Sequence, residues 1–328
     1  MLNAIISSLP LGIMWALTAL GVFLTFRILD IPDLSVDGTL GLGAAVSATI
    51  INAGHDPFFS VLIAFFSGML AGLTSSLLHT KLRIPPLLAG ILTMTALYSI
   101  NLRVMGRANV SINGMPTIYG AFSNAFHIPD RVEIGSGIYI GNINVLIVAT
   151  LFLVIITILL YMFAGTEIGC ALRATGNNPQ MIRAQGVNTN TTKIIGLVVS
   201  NGLVGVSGAL LMQSQKFADV TMGTGTIVVG LASVIIGEVL FGTRTFKNYL
   251  VSIILGSIIY RMVISIVLQF GMNPNDLKLF TAIIIAAALS LPLIKDKLPG
   301  QKKKNTAAAV AVNKPPESSD NKDGGTSA

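Results

Sequence analysis

What most constrains this chain is the spacing of its apolar runs. Stretches that reach or approach 20 apolar residues recur along the sequence, and the charged residues gather in the gaps between them. About 20 such residues in helical form cross the hydrocarbon core of a bilayer. Only 11% of the 328 residues are charged, against 52% hydrophobic, where a soluble domain usually carries about 25% charged residues. The apolar-polar alternation of a membrane β-barrel is absent. The expected fold is all-α, a polytopic helix bundle in a membrane.

Nine spans are expected, at 9–26, 38–51, 58–78, 84–104, 144–163, 194–212, 226–241, 249–270 and 277–294. The pattern allows eight to ten, because 38–51 is short and reads as part of a broken helix. Gly68 and Gly72 in the third span, and Gly205 and Ala209 in the sixth, give small-residue faces for close helix approach. Residues 1–294 then form one membrane domain. Residues 295–328 hold Lys302, Lys303 and Lys304, an alanine run, then Ser, Asp, Asn and Gly. That composition cannot bury apolar area, so a disordered basic tail is expected. No basic residues precede the first apolar run and no small-residue cleavage signal follows it, so the first span is expected to be retained.

The net charge of +7 does not point to nucleic acid, because Lys and Arg sit at span ends and in the tail. That is the positive-inside bias. The tail, Arg244 with Lys247, the stretch 166–193 with Arg173, Arg183 and Lys193, and the turn with Lys81 and Arg83 fall on one side of a nine-span path. That side is expected to be cytoplasmic, with the C-terminus. The loops 52–57 and 271–276 lack Lys and Arg and fall on the other side, with the long stretch 106–142.

The stretch 166–193 is a polar island much longer than a helix connection needs. It carries its own helix signals. Asn178 can cap, Pro179 suits the first helical position and Gly186 suits the residue just past the end. The implied helix, 179–185, spans about two turns and is too short to be stable alone. Met181 and Ile182 would lie side by side with nothing in the loop to cover them. Such a helix needs a partner surface, or else it lies on lipid headgroups.

Several chemistries find no support. No Gly-x-x-x-x-Gly-Lys-[Ser/Thr] occurs, so the chain has no phosphate cradle for ATP. No His-Glu-x-x-His, no Gly-x-Ser-x-Gly and no clustered Cys and His ligands occur, so neither an enzyme nor a metal site is expected. The single cysteine, Cys170, excludes an intrachain disulfide and has no His near it in sequence. Charges inside the spans are few: Glu238 near one end of the seventh and Arg261 within the eighth. An ion-driven transporter needs ionisable groups near the midplane, so their scarcity counts against secondary transport without an ATPase, which stays as the alternative. Glu238 is expected to pair with Arg244, or else to meet a cytoplasmic partner.

Two segments resemble each other. Asp33, Ser35 and Asp37 precede one short small-residue span, and Asp219, Thr221 and Thr224 precede another. Breaks near 30–40 and 218–228 in the two halves would point to a substrate path near the midplane. The same residue types also serve as plain helix caps.

The sequence Ile-Gly-Cys-Ala-Leu-Arg-Ala-Thr-Gly-Asn-Asn at 168–178, with Ala-Gln-Gly-Val-Asn at 184–188 and Lys-Ile-Ile at 193–195, resembles the cytoplasmic loop of permease subunits in the ribose and branched-chain amino acid group of ABC importers. Asp33-Leu34-Ser35-Val36 resembles the IDLSVG stretch of sugar permeases in that group, with Asp37 where those have glycine. Segments 24–38, 86–106, 237–242 and 276–292 look still more like small permeases described as tryptophan or tyrosine ABC transport components. The resemblance implies an importer of a small solute, an amino acid among the candidates. It implies a bacterial cytoplasmic membrane location, a second copy of the permease, two ATPase subunits that bind the ATP, and an extracytoplasmic solute-binding protein. It also implies that 179–185 is the helix seated in the ATPase, with Arg173, Asn178, Pro179, Met181, Ile182, Arg183, Gln185 and Gly186 as coupling residues.

Overall fold

The computed structural model describes residues 2–127, 131–133, 139–141 and 143–269, with single positions at 279, 282, 283 and 286. The expected ninth span and the tail fall outside the described residues, those single positions apart. The helices are α1 (Leu2–Val22), α2 (Ser35–Asn52), α3 (Pro57–Thr80), α4 (Pro86–Met105), α5 (Ile118–Phe126), α6 (Ile143–Gly165), α7 (Glu167–Asn177), α8 (Pro179–Ala184), α9 (Thr189–Gln215), α10 (Thr226–Phe241) and α11 (Phe246–Gln269). Four strands are interleaved: β1 (Asn109–Ser111), β2 (Arg131–Glu133), β3 (Tyr139–Gly141) and β4 (Phe217–Asp219).

Among the described residues, six helices are long and apolar enough to cross a membrane: Ser8–Ile28, α3, α4, α6, α9 and α11. The other two expected spans in this region are shorter or less apolar. α10 has 16 residues, and the 18 residues of α2 include three glycines, three alanines and two serines. Local signals set the ends. Asp56 accepts the N–H groups of Phe58 and Phe59, at 2.7 and 3.4 Å, and Pro57 takes the first position of α3. Gly106, at φ 69°, ends α4.

The bundle is built around α1 and α9. Each has 78% of its apolar window covered, against 28–39% for α3, α4, α6 and α11. α2 lies largely among them, with 13 of its 18 residues buried. It packs on α9 backbone to backbone. A Cβ added at Gly43 would collide with the carbonyl of Gly205, and one at Gly208 with that of Leu40. The small-residue face expected on the third span is also used, since Gly68 and Gly72 abut Asn201 and Leu197 of α9. The charge expected inside the eighth span lies over a ring: the Arg261 guanidinium is 4.4 Å from the centroid of Trp15 on α1.

The two faces of the bundle differ. On one, β1 and β4 pair antiparallel, with Asn109 opposite Asp219, and β2 pairs with β3. On the other, Leu29 and Ile31 pack against Leu172 of α7 and Leu197 of α9, so the polar island sits beneath the end of α1. The all-helical expectation did not include the two short ribbons. Their three-residue strands sit within polar connections, where no alternation is long enough to register.

Candidate functional site

The chain leaves α1 through a π-helical turn, Phe23–Ile28. It reverses at Asp30, whose φ of 55° is left-handed, and runs without helix until Ser35. The return carries it inside the bundle. Asp33 is 2% exposed, and its carboxylate accepts the Asn201 side-chain amide at 2.8 Å, the Ser35 backbone N–H at 3.0 Å and the Ser75 hydroxyl at 3.3 Å. Asn201 lies 12 residues into α9, about 18 Å along its axis. Its carbonyl oxygen accepts the hydroxyls of Thr39 at 2.7 Å and Ser35 at 3.1 Å. One amide thus joins both ends of the break. Irregular backbone at such depth is tolerated only where the protein itself supplies these partners.

The second break meets the first. After β4 the chain turns at 220–225 and starts α10 behind Gly225, at φ 86°. No side chain of its own caps this helix. Asp37 of α2 does so instead: its two oxygens accept the N–H groups of Gly225 and Ile227, each at 2.8 Å. A carboxylate at a helix N-terminus meets both the orphan donors and the positive end of the dipole. The approach is close enough that a Cβ on Gly223 would strike the Asp37 carbonyl oxygen.

Beside this junction lies a cavity of about 220 Å³, lined by Asp37, Gly38, Val220 and Thr224 on one side and by Met94, Thr95, Tyr98 and Asn101 of α4 on the other. Asn101 donates to the Gly38 carbonyl at 3.2 Å. The six residues expected along a path therefore separate into three groups. Asp37 and Thr224 line the cavity. Asp33 and Ser35 are buried behind it in the Asn201 network. Asp219 and Thr221 sit at the ribbon, where Asp219 accepts from the Thr221 hydroxyl at 2.5 Å and from Asn109 at 3.3 Å. The Thr221 hydrogen bond holds the Asp219 carboxyl below its usual range.

The polar island folds as two helices. The Asn178 side chain accepts the Met181 N–H at 3.1 Å, Pro179 opens α8, and Gly186 follows it at φ 87°. Gln185 closes the helix as its C-cap rather than lying within it. Met181 is 56% exposed, whereas Ile182 is only 7% exposed. The expectation that both lie uncovered is thus corrected: Ile182 is the anchor, because residues three or four apart, not adjacent ones, share a helix face. Arg183 donates to the Thr189 hydroxyl at 2.6 Å and pins α8 to the start of α9. Arg173 points elsewhere. It donates to the Ala164 carbonyl at 3.0 Å and lies 5.3 Å from the Phe246 ring centroid, tying α7 to α6 and α11.

Glu238 does not pair with Arg244, which is exposed on the following turn. Its two oxygens take Arg27 Nε at 2.7 Å and Nη2 at 2.9 Å, and the Tyr249 hydroxyl completes the group. Nothing local to Arg27 in the sequence announces a partner 211 positions away. Asn201 is not singled out by the sequence either, because a neutral amide in an apolar run carries no charge to mark it. Among the described residues, no three His, Cys, Asp or Glu side chains gather closely enough to hold a metal ion.

Residues 4–289 match the family model described as branched-chain amino acid transport system / permease component. A tyrosine transport system permease protein of Clostridioides difficile is 39% identical over 96% of this chain and 99% of its own length. An uncharacterized protein of Rickettsia prowazekii is 33% identical over 88% of this chain and 98% of its own. A probable branched-chain amino acid transport permease protein, LivH, of Methanocaldococcus jannaschii is 26% identical over 67% of this chain and 69% of its own.

Proposed function

This chain belongs to the branched-chain amino acid transport system permease family as the membrane subunit of an ABC-type importer, and we propose that its solute is an aromatic amino acid. The likeness to a tyrosine permease along nearly the full length of both chains supports that substrate class. The polar-island face is then cytoplasmic, as its basic residues favour, and the C-terminus lies on that side of the bacterial cytoplasmic membrane. ATP is bound by two separate ATPase subunits. A solute-binding protein delivers from the opposite face, and a second copy of this chain completes the pathway.

The observation that carries this reading is α8. Its cap, its Arg183 tie and the buried Ile182 fix the helix on the bundle, while Met181 stays bare. A bare methionine on a fixed short helix is suited to a cleft on another protein, where an adaptable apolar side chain packs readily. The ATPase moves this helix, and contacts that differ between its two nucleotide states would set which way the permease faces. Asp37, Thr224 and the Tyr98 ring line part of the solute path.

Reconstitution of the chain with its cognate ATPase and solute-binding protein tests the proposal. ATP hydrolysis and uptake should both rise with L-tyrosine. Stimulation by a solute without an amino acid group, with none by tyrosine, would remove the substrate assignment. Failure of any ATPase to co-purify would remove the coupling assignment.

A further inference from the structure

Four basic residues surround a second cavity on the polar-island face, of about 490 Å³, at the ends of α3, α4, α8 and α9. They are His79, Arg83, Arg183 and Lys193, and among the described residues no carboxylate lines the space. The Arg27–Glu238 pair is the salt bridge found among the described residues, so the three cations, Arg83, Arg183 and Lys193, have no acidic partner there. They are held nonetheless. Lys193 Nζ lies 3.3 Å from His79 Nε2, and His79 Nδ1 lies 2.9 Å from the Ile84 carbonyl oxygen. That carbonyl requires a proton on Nδ1, so Nε2 is the acceptor for Lys193. Arg183 is fixed through Thr189. The start of α9 adds the positive end of a 27-residue helix, with Asn190 on the cavity wall.

Like charges gathered in a pocket repel one another, and an anion relieves the cost. The setting indicates which kind. Leu82, Leu87 and Leu88, 65%, 50% and 45% exposed, flank the pocket where α3 and α4 enter the membrane. An apolar surface leading away from a cationic pocket is the layout that receives acyl chains and a headgroup together. The geometry points to a phosphate-binding site that seats the headgroup of an anionic phospholipid. By joining Arg83 on the α3–α4 turn to Arg183 on α8 and Lys193 on α9, the bound phosphate ties the lipid surface to the helix proposed to meet the ATPase.

The test uses the purified chain in phosphatidylcholine nanodiscs, with thermal unfolding and lipid retention in native mass spectrometry as readouts. Adding phosphatidylglycerol should raise the melting temperature and leave lipid bound. Arg83→Gln with Lys193→Gln should abolish the shift and weaken retention roughly thirtyfold, while Lys81→Gln, on the same turn but outside the pocket, should not. Inorganic phosphate forms the other arm. A response to phosphate alone keeps the site and assigns it a soluble ligand, and a response to the lipid alone assigns the headgroup. An equal response to added phosphatidylcholine, or full retention by a folded double variant, overturns the proposal.

Discussion

Asp37 holds a helix to which it does not belong. Its carboxylate supplies the cap that α10 lacks, through two 2.8 Å bonds from Gly225 and Ile227. Replacing it by alanine should cost about 1–2 kcal/mol, the range for losing a charged N-cap. Asp37→Asn, which keeps one acceptor oxygen, should fall between the two. Thermal unfolding in detergent reads this, and an Asp37→Ala protein that melts with the wild type would show the cap to be idle. Asn201 carries more. Asn201→Ala removes a donor from the buried Asp33 carboxylate and the acceptor for Ser35 and Thr39. A loss of about 1–3 kcal/mol is expected in the same measurement, and a variant as stable as the wild type would mean that water replaces the amide. Asp33 and Asp37 were both visible in the sequence because an acid beside a small-residue span is unusual. Their partners were not, because a neutral amide in an apolar helix and a backbone N–H behind a glycine carry no charge to search for.

Helices were easier to read where residues punctuate them. Positive-φ glycines bracket α10, so its ends, Thr226 and Phe241, coincide with the expected 226–241. Asn178, Pro179 and Gly186 marked α8 to within one residue. Which side of α8 faces out was not legible, because that depends on how α7 and α9 approach it. The consequence for mutagenesis is direct. Met181→Asp should leave the stability within about 0.5 kcal/mol of wild type, as exposed substitutions do, yet abolish solute-stimulated ATPase in the reconstituted complex. Ile182→Asp should instead lower stability, since it buries a charge without a partner. Wild-type stimulation in Met181→Asp would move the ATPase contact off this helix. The ribbons β1–β4 and β2–β3 were missed because strands of three residues leave no period to detect.

At the scale of the molecule, the rival to an ATP-driven importer is a carrier that works by itself. The carboxylates within the bundle are engaged: Asp33 by Asn201, Asp37 by α10, and Glu238 by Arg27. Among the described residues, each of these three is thus committed to a structural partner, which counts against a proton-driven cycle. Proteoliposomes of the chain alone should therefore show no uptake of L-tyrosine under a pH gradient, and gain it only with ATPase, binding protein and ATP. Uptake by the lone chain would restore the carrier reading. The glycine contacts between α2 and α9 bear on how any such cycle can proceed. Where Gly43 meets Gly205 and Leu40 meets Gly208, main chains touch with no side chains between them. Nothing there can swing into another rotamer to let the helices slip. α2 and α9 must travel as a single block, and a change of facing falls to elements with freer edges, the outward-looking α4 and α6 first among them.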